Sequence, residues 1–232
     1  MADVIRQSTA MMLPSSGSSS WTGQCEMCCW PMRTIAERMF MTVSEIVADY
    51  IREHRANARD EMRFYEIQRS PAKAIEKAAL CVLPSGKRHP HQHRISGAVL
   101  ELAEVRLQEI QGQLKQAKNF DALHRIIAER IGSIPGIGTL TVYDIAHRIS
   151  AFFRIYPELV YLHAGARKGA AFWGIKGDAF DPGILPKPFF RLQPYEIEDC
   201  LCLYKKDFGI ERAERSIQAC AGKNPKKTRC HF

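Results

Sequence analysis

Asp121–Ile131 (DALHRIIAERI), Ile134–Thr139 (IPGIGT) and Thr139–Phe152 (TLTVYDIAHRISAF) form one continuous pattern whose reading decides the fold. In the first segment Leu123, Ile127 and Ile131 fall on one helical stripe, with Ile126 beside them. In the last, Val142, Ile145, Ala146 and Ile149 fall on another. Pro135 fixes φ where the first helix must stop, and Gly136 and Gly138 accept backbone angles that other residues resist. A turn of this kind presents successive backbone N–H groups at the start of the second helix. Those donors and the positive end of the helix dipole suit an anionic oxygen. The alternative is an αα-turn that uses Pro and Gly only as punctuation.

Helix, apolar-Pro-Gly-apolar-Gly, helix resembles the helix-hairpin-helix motif of DNA glycosylases, ligases and repair nucleases. The resemblance covers about thirty residues (121–152). It implies a DNA phosphate held by the N–H groups of Gly136, Ile137, Gly138, Thr139 and Leu140, in a DNA-contacting turn that begins at Pro135. A hydroxyl contact is added by Thr139 or Thr141. Bifunctional glycosylases place a lysine nucleophile two residues after the last glycine. Here that position is Leu140, so a Schiff-base lyase is disfavoured. The aspartate these enzymes carry about eighteen residues further on corresponds to Glu158. That makes Glu158 the catalytic candidate implied by the resemblance, against an ordinary surface glutamate in a first helical turn.

The chain has 232 residues, 46% of them hydrophobic, enough for one large domain or two small ones. Thirty-three Lys and Arg against 25 Asp and Glu give a formal net charge of +8, which favours a polyanionic partner. The charge is uneven. Pro84–Ser96 (PSGKRHPHQHRIS) and Ala221–Phe232 (AGKNPKKTRCHF) contain no acid. No apolar run reaches the ~20 residues that span a bilayer, and no signal-peptide pattern opens the chain, so a cytoplasmic protein without a membrane partner is expected. Eight cysteines in such a chain are expected as thiols or metal ligands, not disulfides.

The periodicities predict an all-α, multi-helix bundle. Residues 1–30 read as a flexible Ser/Gly-rich segment, 31–220 as the helical domain and 221–232 as a basic tail. Within the domain a long amphipathic helix is expected over Arg33–His54, and Ala56–Gln68 either continues it or forms a second piece. Further helices are expected over Ala72–Leu83, Ser96–Ala117, the two hairpin segments, Pro157–Ala171, Ile197–Tyr204 and Glu211–Cys220. Gly174–Pro188 is read as a loop, and no strand pair is expected.

Four other groups carry chemistry. Arg167 and Lys168, flanked by Gly165 and Gly169, are either phosphate contacts or solvated charges on a helix whose glycines allow tight packing. Lys87 and Arg88 belong to the histidine-rich loop. His89, His91 and His93 alternate there as metal ligands would, but the loop itself has no acidic partner, so phosphate contact is the preferred role. Cys25-x-x-Cys28 lacks a second pair to complete a zinc site, and no metal is expected. Asp178 and Asp181 read as turn formers. No P-loop or dinucleotide fingerprint is present, so no cofactor is expected. The combined expectation is largely non-sequence-specific DNA binding, extended by Lys87, Arg88, Arg167 and Lys168. The alternatives are a DNA-base glycosylase-like repair enzyme and a helical protein-interaction module.

Overall fold

Thr42 starts the first helix through a reciprocal cap. Its hydroxyl accepts from the Glu45 N–H, and the Glu45 carboxylate accepts from the Thr42 N–H at 2.7 Å. The computed structural model describes residues 41–208, which belong to one contact unit. Among them are nine α-helices and a single two-residue strand pair, so the fold is all-α as the periodicities predict.

The order is α1 (Val43–Glu53), α2 (Arg55–Glu66), α3 (Pro71–Ala79), α4 (Gly97–Glu109), α5 (Gln111–Gln116), α6 (Phe120–Ile131) and α7 (Thr139–Phe153). Then come β1 (Val160–Tyr161), α8 (Ala164–Ala170), β2 (Ala179–Phe180) and α9 (Pro194–Leu203). Ser70, Ser96 and Asn119 cap α3, α4 and α6 with side-chain oxygens, and Pro71 occupies the first turn of α3.

Three boundaries differ from the expectation. The helix expected from Arg33 cannot run through Thr42, because the capping box there begins a new one; residues before Met41 lie outside the described part. The single helix expected over Ser96–Ala117 is broken at Ile110, whose φ of −108° and ψ of 18° leave the helical region. The helix expected from Pro157 begins only at Ala164. Before it, Val160 and Tyr161, residue types that favour strands, pair antiparallel with Phe180 and Ala179. The expected helix at Glu211–Cys220, the N-terminal segment with Cys25, Cys28 and Cys29, and the basic tail lie outside the described residues.

Two apolar clusters form the core. The larger gathers Leu100, Leu107, Leu123, Ile127, Ile131 and Ile149 from α4, α6 and α7, all fully buried. The smaller joins Ile46 and Tyr50 of α1 to Phe189, Ile197 and Leu201. Each such side chain contributes roughly 1.5–3 kcal/mol by leaving water. α8 and α9 approach so closely that a methyl group on Gly165 would overlap Cys202 Sγ, and one on Gly169 would overlap the Leu201 carbonyl. These two glycines therefore serve helix packing. No helix among the described residues is long and apolar enough to cross a membrane.

Candidate functional site

α7 supplies two chemically different surfaces, one at its first turn and one along its middle. At the first turn, Ile134 and Ile137 are buried and anchor the connection from α6, while Pro135, Gly136, Gly138 and Thr139 are exposed. Gly136 has φ +96°, a left-handed conformation that L side chains rarely adopt, so the glycine is required by backbone geometry. Gly138 is extended (φ −98°, ψ 173°) and gives α7 no side-chain cap. The N–H of Ile137 is used within the turn, donating to the Ile134 carbonyl at 3.0 Å. The N–H groups of Gly136, Gly138, Thr139, Leu140 and Thr141 find no acceptor among the described residues.

The run expected over Gly136–Leu140 is therefore interrupted at Ile137 and extends to Thr141. The Thr141 side chain is buried, which leaves Thr139 as the exposed hydroxyl.

Cations surround this turn unevenly. The position a methyl on Gly136 would take lies 3.7 Å from Val99 in the first turn of α4, and that on Gly97 lies 3.7 Å from Arg88 Nη2. The loop of Lys87 and Arg88 thus adjoins the hairpin through α4. Arg88 Nη1 donates to the Ile95 carbonyl at 2.7 Å, while Lys87 is exposed. Arg167 lines a second cavity, of about 230 Å³, together with Thr139, His124, Tyr143, Tyr161 and His163. Its guanidinium donates to the carbonyls of Leu162 (2.8 Å) and Gly177 and to Asp178 Oδ1 (2.9 Å), so it also pins the β1–β2 connection. Lys168 is exposed. Glu158 lies on the surface before β1 and faces only a recess of about 40 Å³ with Asn119, Phe120 and Asp121.

The middle of α7 lines a cavity of about 310 Å³. Asp144, His147 and Arg148 at spacings of three and four project from one face of α7. α2 contributes Glu61 and Met62, the histidine-rich loop contributes His89 and His91, and α9 contributes Tyr195, Glu198 and Asp199. Arg148, 2% exposed, lies at the centre. Its Nε is 3.6 Å from Glu61 Oε1, its Nη2 is 3.9 Å from Asp144 Oδ2, and its guanidinium stands 5.8 Å over the Tyr65 ring. Gln92, fully buried, donates to Asp144 at 2.6 Å and accepts from Arg148 Nη2 at 3.4 Å. Arg148 Nη1 and His147 Nε2 are buried without a partner.

Three histidines meet three carboxylates here, two of them (His89 and His91) lining this cavity and the third (His163) lining the second. His89 Nε2 lies 3.5 Å from Glu61, His91 Nδ1 lies 3.8 Å from Asp144, and His163 pairs with Glu198. Burial pushes Asp144 and Glu61 up, but neighbours outweigh it: His91, Arg148 and Gln92 hold Asp144 below its usual range, and His89 and Arg148 hold Glu61 there. Burial dominates at Glu198, against the opposing pull of His163, and raises it to about 7. Burial also lowers His147 to about 4, which keeps its ring neutral.

The sequence pattern pointed to phosphate contact for the histidine loop because the loop itself has no acid. The acids come instead from α2 and α7, and the nearest hint was the polar set Asp144, His147 and Arg148 on an otherwise apolar helix. No group of three or more His, Cys, Asp or Glu among the described residues has the arrangement of a metal site. No known protein family, curated protein or solved structure is detectably similar to the chain.

Proposed function

We propose that the protein binds DNA by its phosphate backbone, with the first turn of α7 as the central contact. The observation that carries this reading is the uncapped set of N–H groups at Gly138, Thr139, Leu140 and Thr141, the first two on exposed residues, with Gly136 bent to present them. Donors at a helix start that no protein group satisfies are suited to a phosphate oxygen. Lys87 and Lys168, exposed and without partners among the described residues, extend the cationic track, and Arg88 and Arg167 flank it. Backbone contacts of this kind position a protein and carry no base code. Glu158, facing a 40 Å³ recess, adds no support for the enzyme alternative.

The test is salt-titrated DNA binding by the full chain, read by fluorescence anisotropy beside a Gly138→Val variant. About six neutralised phosphates give a slope of log affinity against log salt near −5. A methyl group at Gly138 meets open space, so the variant keeps its fold while crowding the phosphate position. Its affinity is expected to fall about tenfold at unchanged circular dichroism, the loss of roughly one charge-assisted hydrogen bond. A flat salt dependence, or equal affinity for a folded Gly138→Val, overturns the reading and leaves the turn structural.

A further inference from the structure

The 310 Å³ cavity along α7 stands at the small end of the range for small-molecule sites. It holds two buried polar atoms without partners, Arg148 Nη1 and His147 Nε2, and buried polar groups in native proteins are normally satisfied. Nε and Nη2 are already turned to Glu61, Asp144 and Gln92, and the guanidinium adjoins the Cys81 thiol, so the two N–H groups of Nη1 are what remains for an acceptor from outside the chain. That acceptor is a neutral oxygen or ring nitrogen. An anionic oxygen on Arg148 would stand beside the Glu61 and Asp144 carboxylates within a few ångströms and be repelled by both.

The opposite requirement comes from the carboxylates. Asp144 uses Oδ2 toward Gln92, His91 and Arg148, and Asp199 uses Oδ2 toward the Tyr50 hydroxyl at 3.1 Å. Their Oδ1 atoms take no hydrogen bond from a described residue, so each accepts an N–H from a guest. The walls favour a flat guest. The ring centroids of His147 and Tyr195 lie 4.9 Å apart at an interplanar angle of 45°, and Tyr143 stacks on His147 at 5.8 Å. An aromatic lining of this kind suits offset ring stacking.

We propose that this cavity binds a neutral, planar, amino-substituted cyclic amide, the pattern of cytosine or guanine, whose carbonyl or ring nitrogen meets Arg148 and whose amino group meets Asp144 or Asp199. Uracil and thymine keep the carbonyl but lack the amino donor. Inorganic phosphate lacks both the plane and the neutrality. The site is separate from the amide run at the start of α7, and its ligand needs no phosphate.

Isothermal titration of the full chain with cytosine, cytidine and guanosine, and with uracil, uridine and inorganic phosphate as controls, tests the assignment. Amino-bearing ligands are expected to bind at least tenfold more tightly than uracil or uridine, with no phosphate binding at this site. Tyr195→Phe keeps the stacking face and the affinity. Tyr195→Leu, a change at a half-buried position, weakens cytidine several-fold. Asp199→Asn, which leaves an acceptor for Tyr50, narrows the cytosine–uracil ratio, whereas Gly138→Val leaves cytidine binding unchanged. Short single strands of C and of T separate the sources: a preference for C that free cytidine abolishes places a strand's base in the same cavity. Equal affinity for cytosine and uracil, or no binding of any free base, overturns the assignment. Strand binding lost only in Gly138→Val belongs to the hairpin and overturns the cavity assignment while leaving the hairpin reading intact.

Discussion

The first turn of α7 and its middle are built from one helix and obey opposite rules. The turn is local: two buried isoleucines and two glycines within five residues shape it, and several of its N–H groups have no acceptor among the described residues. The middle is assembled: Asp144 and Arg148 are met by Glu61 from 83 positions earlier than Asp144 and by the loop residues His91 and Gln92, with Asp199 of α9 lining the same cavity. A site of the first kind is kept by backbone geometry and is cheap to alter. The second kind is kept by mutual charge compensation in a buried volume, where removing one partner strands the others.

The largest effect that sharpens this contrast is expected from Arg148→Met. The side chain is 2% exposed and stands between two carboxylates held in their ionised form. Its removal takes away the one buried full charge shared by Glu61 and Asp144 and leaves them only His89, His91 and Gln92, and a loss of about 3–5 kcal/mol is expected. Urea unfolding followed by circular dichroism measures it. A loss below about 1 kcal/mol means that water reaches those carboxylates freely and that the cavity is not the closed network described.

Acid sensitivity comes next, and within α7 it belongs to the middle of the helix, not to the turn. Burial lowers His147 to about 4, so the folded protein resists a proton that the unfolded chain accepts near 6.5. The stability linked to His147 is present in full above about pH 6.5 and is lost as pH falls toward 4, by up to about 3 kcal/mol. Glu198, raised to about 7, works the other way: its contribution is present below its unfolded pKa and is lost as pH rises through about 7. The difference between wild type and His147→Gln isolates the histidine, because the other groups are common to both. Thermal denaturation between pH 4 and 7 is expected to show a flatter profile for the variant. Parallel profiles contradict a neutral, desolvated His147.

These two regions also divide what the chain reveals before it folds. The α6–turn–α7 unit was readable because its signals lie within one stretch: the Asn119 cap, the Leu123–Ile127–Ile131 stripe, Pro135 and the glycines each act on their neighbours. The cavity was not, because His89 and Glu61 are ordinary polar residues until α2 and the loop are brought to α7. Asp144, His147 and Arg148 resemble a solvated face in sequence, yet His147 and Arg148 are buried and Asp144 is largely enclosed. Gly165 and Gly169 admitted either close ligand approach or close helix packing. The residues that decide, Cys202 and Leu201 of α9, are more than thirty positions away in the chain.

The smallest effects separate geometry from recognition within the hairpin. Gly136→Ala must place a side chain at φ +96°, and although Val99 leaves ordinary contact distance, the left-handed backbone costs roughly 1–2 kcal/mol. Gly138→Val adds a side chain to open space at an extended backbone, so its stability is expected within about 0.5 kcal/mol of wild type. Chemical denaturation orders the pair, and DNA affinity is then compared at equal folded fraction. If the turn is only punctuation, affinity follows stability and Gly136→Ala is the more damaging of the two. If its amides hold a phosphate, Gly138→Val loses affinity with its fold intact, and the ranking by binding is the reverse of the ranking by stability.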